Sequence, residues 1–243
     1  MSVKDNQVTH EVAGVNFSGR VIPPINGEGE PFLIMETLVT QELYQAVMGE
    51  NPSWFKDRAD NAQRPVEYLR WNDAVLFANA LSTAMGLQPA YVYDPTLGRQ
   101  FYINNEPLPP EGAVSGFRDT DGWRLPFEAE WEWAAKGGED HEYAGSDNLD
   151  EVGWYWGNSR CETHPVAQLK ANGYGCYDFS GNVWEWCADD VNNPGKHRPE
   201  AAGRVLRGGY WNYDADRCRV SFRIDLHPEA RASYAGLRLC RSL

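Results

Sequence analysis

The chain has 243 residues, 42% of them hydrophobic and 13% aromatic, with a formal net charge of −13. That is enough length for one large domain or two small ones and enough apolar material for a packed core, which excludes a disordered chain. The charge repels phosphate backbones and anionic lipid, so nucleic acid and membrane surfaces are excluded as expected partners. Cationic partners or a bound metal suit it better, unless the acidity serves solubility alone.

No continuous apolar run of about 18 residues exists, so no membrane insertion is expected. Met1 to Val12 lacks the basic start and apolar stretch of a secretory signal, which makes the cytoplasm the default compartment. Five cysteines (Cys161, Cys176, Cys187, Cys218 and Cys240) are too few and too unevenly spaced for a disulfide scaffold or a zinc site. Most read as buried apolar residues, with a Cys187–Cys218 bridge as the minority alternative.

In chain order, the first thirty residues, up to Gly27, Gly29 and Pro31, read as short strands and turns, and Phe32-Leu33-Ile34-Met35 as a buried strand. Thr40 is placed to cap a short helix carrying Leu43, Tyr44 and Val47 and ending near Gly49. Ala74, Val75, Ala78, Leu81 and Met85 recur at helical spacing and predict a helix over 73–85, with Gly86 as its left-handed stop. A third helix is predicted from Glu128 to Lys136, with Ala129, Trp133 and Ala134 on the core face and Gly137-Gly138 beyond it. About a hundred residues rich in Gly, Asn, Asp and aromatics then follow with no helical period. Pro194 to Pro199 is the clearest exposed loop. No strand–helix alternation, repeat or linker is present, so the expectation is an α+β fold in one domain, two main helices on an irregular, loop-rich β core.

Four segments taken together carry a resemblance: Gly122-Trp123-Arg124-Leu125-Pro126 running into Glu128-Ala129-Glu130-Trp131-Glu132-Trp133-Ala134-Ala135, Gly173 to Asp178, Gly181-Asn182-Val183-Trp184-Glu185-Trp186, and Arg207-Gly208-Gly209 with Gly236-Leu237-Arg238-Leu239. In order and rough spacing the chain resembles the formylglycine-generating-enzyme (sulfatase-modifying-factor) family over residues 32 to 241, which implies a C-type-lectin-like fold. Phe127 replaces the capping threonine usual in that family. The resemblance implies a structural calcium held by the side chains of Asp178 and Glu185 and the carbonyls of Gly181 and Val183, an all-oxygen set of the kind calcium prefers. The alternative is that Glu185 pairs with an arginine such as Arg207. A second family calcium site, near Asn158 and Ser159, is not expected, because the loop from Arg160 to Gln168 looks too short for its remaining ligands.

The family enzymes oxidise a cysteine with a copper-binding cysteine pair placed after the RGG turn, with a serine directly after it. Here those positions hold Tyr210, Tyr213 and Cys218, so one soft ligand is missing and no copper is expected. Cys218 reads as a packing residue, and an oxidase using it with another partner is the rival reading. The five histidines are isolated, which argues against the iron site of the related sulfoxide synthases, and no P-loop, Rossmann fingerprint or serine triad is present.

Non-catalytic relatives often read GGSWNNNADNCR in the C-terminal region. Against that pattern Tyr210, Asn212, Tyr213, Asp214, Arg217, Ser221, Phe222, Ile224, Asp225, Leu226, His227, Ala232, Ser233 and Tyr234 occupy interchangeable positions. All are amino acids reached by mutating adenines in an asparagine codon. Segment 205–241 therefore looks like the variable region of proteins diversified by retroelements. That resemblance implies a non-catalytic binding face for a protein or other macromolecular ligand. Its aromatics supply contact area at low rotamer cost and its polar residues supply adaptable hydrogen bonds. About a third of the positions, Ile224 and Leu226 first, are expected to fill the core, while Arg219, Arg223 and Arg238 belong to the scaffold beneath.

Overall fold

The computed structural model describes residues 6–94, 102–103, 106–107, 113–117, 120–192, 195 and 203–243. Strands β1 (Gln7–Val12) and β2 (Val15–Ile22) form a hairpin whose turn residues Ala13 and Gly14 both have positive φ, 49° and 79°, matching the twist of the flanking strands. The apolar run Phe32–Met35 is β3 and is buried throughout. Thr40 caps α1 (Gln41–Met48): its side chain accepts the Leu43 N–H at 3.2 Å, and Gly49 ends the helix at φ 79°.

Helix α2 spans Trp71–Ala84, two residues earlier than the spacing predicted. No Ser, Thr, Asp or Asn marks its start. The Asp73 carboxylate instead reaches back to the Arg70 N–H at 2.9 Å and supplies the cap from inside the first turn. Ala74, Val75, Ala78 and Leu81 are buried. Strands β4 (Tyr91–Asp94) and β7 (Ala113–Phe117) pair with each other, as do β5 (Tyr102–Ile103) and β6 (Glu106–Pro107). Helix α3 occupies Glu128–Lys136 as expected and stops at Gly137, but its core face is Trp131, Ala134 and Ala135. Ala134 is buried as predicted, but Ala129 is exposed and Trp133 half-buried, its indole N–H reaching the Pro23 carbonyl, so the face centres on Trp131 and not on Trp133. Phe127 cannot cap by side chain, and Glu130 accepts its N–H at 2.8 Å in place of the missing threonine.

The remaining strands are β8 (Trp184–Asp190), β9 (Arg204–Arg207), β10 (Arg223–Leu226), β11 (Ala235–Gly236) and β12 (Cys240–Ser242). One sheet has the order β1-β2-β3-β12, all antiparallel, so the C-terminal strand closes on the N-terminal sheet. The other runs β10-β9-β8-β11, with β11 parallel to β8. Two reciprocal bonds seat α2 against β8: the Trp71 indole donates to the Cys187 carbonyl at 2.9 Å, and the Trp186 indole to the Leu69 carbonyl at 3.3 Å. The buried indoles thus fill the core and satisfy backbone carbonyls there. The architecture is α+β. Cys187 and Cys218 are both free and buried, which corrects the minority bridge. Apart from Gly195, the loop Pro194 to Pro199 lies outside the described residues.

Candidate ligand-binding face

The C-terminal segment is laid over β8 by backbone bonds. β9 ends at Gly208-Gly209, and a Cβ on Gly209 would stand 2.5 Å from the Cys218 sulfur, so the turn can close over Cys218 only with glycine there. The Trp211 N–H then donates to the Asn182 carbonyl at 3.0 Å, the Trp211 indole to the Ser233 carbonyl at 3.2 Å, and the Trp184 N–H to the Tyr234 carbonyl at 2.7 Å. From the other side, the Trp156 N–H donates to the Tyr213 carbonyl at 3.1 Å.

On this frame three tyrosines cluster: Tyr210 lies 4.8 Å from Tyr213 and 4.7 Å from Tyr234, centroid to centroid. Tyr213 and Phe222 lie against the buried Trp184, at 6.4 and 6.2 Å, and the Arg217 guanidinium covers both, at 4.7 and 5.2 Å. Phe222, just before β10, and Ile224 and Leu226 within it lean on the main core, as Tyr210, Tyr213 and Tyr234 do, while Ala232 is buried. Half of the candidate positions therefore touch the core, more than the expected third. Asn212, Asp214, Ser221 and His227 are exposed and Arg217 and Ser233 half-buried. Asp225 sits on the opposite side of β10, its carboxylate over Gly203, and does not join the tyrosine cluster.

Side-chain bonding divides this segment sharply. Among the described residues, the fourteen candidate side chains make no hydrogen bond or ion pair to the scaffold beyond the His227 ring nitrogen accepting the Glu229 N–H. The residues interleaved with them are tied down: Arg219 to Glu142 and Asp216, Arg223 to Glu128, and Trp211 to Ser233. Three exposed aromatics outside the segment border the face and carried no signal in the sequence: Trp54 and Trp156, 67% and 63% exposed, and Tyr68. An indole that is to stay in water reads the same in sequence as one that is to be buried.

The residues expected to hold calcium are spent differently. Arg238 grips Glu185 through two bonds of 3.0 Å, and the Trp131 indole donates to the same carboxylate at 2.8 Å, all with Arg238 and Glu185 fully buried. Arg238 also donates to the carbonyls of Met35, Glu36 and Tyr177. Burial pushes the Glu185 carboxyl up, and Arg238 pulls it back. Asp178 accepts the Ala167 N–H at 2.8 Å, and burial pushes its carboxyl up to about 6. Gly181 is left-handed, with the Trp154 carbonyl 2.3 Å from where a Cβ would be, and Val183 packs with Leu38 and Val166. Both Glu185 oxygens are engaged by N–H donors, so in this structure the carboxylate closes an ion pair in the core. The arginine partner proves to be Arg238. Arg207 binds Glu128 and Glu132 instead, at 2.8 Å each.

Cys218 is buried among Tyr143, Leu149 and Val152, and burial pushes its thiol up to about 12. No described helix is long and apolar enough to cross a membrane.

A curled pair of sheets carrying three helices, with the RGG turn and a loop-built face at one edge, is the C-type-lectin-like fold. The chain belongs to the sulfatase-modifying factor enzyme 1-like domain family, whose pattern matches residues 6–243. Among solved structures it is similar to Treponema denticola variable protein 1, at 34% identity and a TM-score of 0.81, covering 98% of this chain and 99% of that one. Among curated relatives it is 36% identical over 232 residues to the chaperone protein LppX of Paenibacillus barcinonensis, covering 87% of this chain and 80% of the relative. It is 35% identical over 148 residues to the formylglycine-generating enzyme of Streptomyces coelicolor, covering 48% of this chain and 46% of the enzyme. The chain thus matches less than half the length of that enzyme.

Proposed function

We propose that this protein is a non-catalytic binding protein whose C-terminal face, from Tyr210 to Tyr234, recognises a protein or other macromolecular ligand, and that segment 205–241 is diversified by a retroelement. The observation that carries this is the division of bonding: the backbone is held by hydrogen bonds to the scaffold, while the fourteen candidate side chains are left almost unbonded to it. Such positions can change identity without stranding a buried polar group, which is the expensive failure in a folded core. Likeness to a variable protein over nearly the whole of both chains supports the reading.

Two measurements test it. A near-copy of the last forty or so codons, differing only where the copy has adenine and lying beside a reverse transcriptase gene, is expected in the gene's neighbourhood. For a partner captured on the immobilised protein, replacing Tyr213 and Phe222 together by alanine lowers affinity by about 30-fold, as loss of aromatic anchors worth ~2 kcal/mol does. Unchanged affinity in the folded double variant refutes the face.

A further inference from the structure

We propose that Trp54 and Tyr68 form a cation subsite at the border of this face that receives an arginine side chain of a protein ligand. The proposal rests on the binding reading above and names one chemical feature of the partner. The two rings lie side by side in solvent, 6.1 Å between centroids and tilted by 45°. Tyr68 is held outward by its backbone. Its φ is +65°, a region that bulky residues rarely adopt, and its N–H donates to the Ala232 carbonyl at 3.1 Å. The loop bearing Trp54 is continuous with the face through rings, since Phe55 meets Trp211 edge-on at 5.5 Å and Trp211 meets Tyr210 at the same distance.

The charge around the pair points to a cation. Glu67 lies beneath the Trp54 loop with no solvent exposure. One carboxylate oxygen accepts the Phe55 N–H at 2.9 Å, and the other is buried with no hydrogen-bond partner. Burial raises this carboxyl to about 7, so above neutral pH, where it is ionised, it adds negative potential to the negative faces of the two rings. The chain's own cations are committed elsewhere. Arg58 packs on Phe55 and binds Glu162, while Arg231 binds Asp73 and donates to the Tyr68 backbone carbonyl at 3.4 Å, engaging the main chain and not the ring. Among the described residues, no arginine or lysine covers Trp54 or Tyr68. A planar guanidinium stacks on tryptophan and tyrosine faces better than a compact, strongly hydrated ammonium does, and the net charge of −13 favours the approach of a basic partner.

The test is titration at about pH 8, where Glu67 is ionised, with Nα-acetylarginine amide, followed by the Trp54 indole N–H resonance, which is assigned by its loss in Trp54→Phe. Nα-acetylcitrulline amide is the neutral control of nearly the same shape. A saturable shift about two- to fivefold tighter for the arginine compound is expected, with that preference reduced in Glu67→Gln. Tyr68→Gly, which suits the left-handed backbone and keeps the fold, should weaken the arginine response. Equal response to both compounds, or an undiminished response in Tyr68→Gly, overturns the proposal. Failure of the face appears as unchanged affinity for a captured partner, whereas failure of the subsite appears in the small-molecule titration alone.

Discussion

Replacing Arg238 by leucine strands the carboxylate of Glu185 in the core. The substitution removes both 3.0 Å bonds to that carboxylate and the donors to three backbone carbonyls, leaving only the Trp131 indole on the acid. Breaking one side of a buried ion pair costs about 3–5 kcal/mol. Each buried carbonyl left without a donor adds ~1 kcal/mol, so the total is at least about 5 kcal/mol. For a chain of this length that corresponds to a fall in Tm of about 10–20 °C by scanning calorimetry. The double variant Arg238→Met with Glu185→Leu removes both charges and should recover about half of the loss, the part due to the stranded charge, because the three carbonyls and the Trp131 indole N–H stay without partners. The ion-pair account also requires the wild-type melting temperature to be insensitive to a chelator. A Tm for Arg238→Leu within about 3 °C of wild type, or a chelator effect as large as the mutation, would refute the reasoning and return Glu185 to the role of metal ligand.

Two further predictions follow from burial. Desolvation raises the Glu67 carboxyl to about 7, so its contribution to stability is fully present below the ordinary glutamate range and is lost as pH rises through about 7. Glu67→Gln removes that loss, and above neutrality it should be more stable than wild type by up to ~3 kcal/mol while differing little near pH 4. Denaturant midpoints across that range check it, and parallel pH profiles for the two proteins would count against it. Four of the five cysteines are buried and all are free, so a thiol reagent should titrate only Cys161 in the native protein and all five after denaturation.

The regular elements were legible because their signals are local. The Thr40 cap, the stops at Gly49 and Gly137, the apolar run of β3 and the span of α3 depend on neighbours within one or two helical turns. The phase of α3 was not legible. Its sequence offers aromatic and alanine residues on more than one side, and the choice of Trp131 over Trp133 is made by Phe179 and Glu185, both about fifty residues away in the chain. The same limit applies to the partner of Glu185. Arg207 and Arg238 are equally plausible in sequence, and only the packing of β11 along β8, which places Gly236 beside Glu185, brings Arg238 to the acid.

What the sequence determined by itself was the family and the α+β class, since motif order and residue identity need no geometry to be read. The candidate variable positions came from comparison with the family pattern and not from residue type, since Arg219, Val220 and Arg223 between them belong to the same set of amino acids. Only the tertiary structure decided which carboxylate meets which arginine, which candidate side chains lean on the core, and that Trp54, Tyr68 and Trp156 stay in solvent around the face. The physical reason is that burial and charge pairing depend on distances between residues far apart in the chain, and folding alone sets those distances.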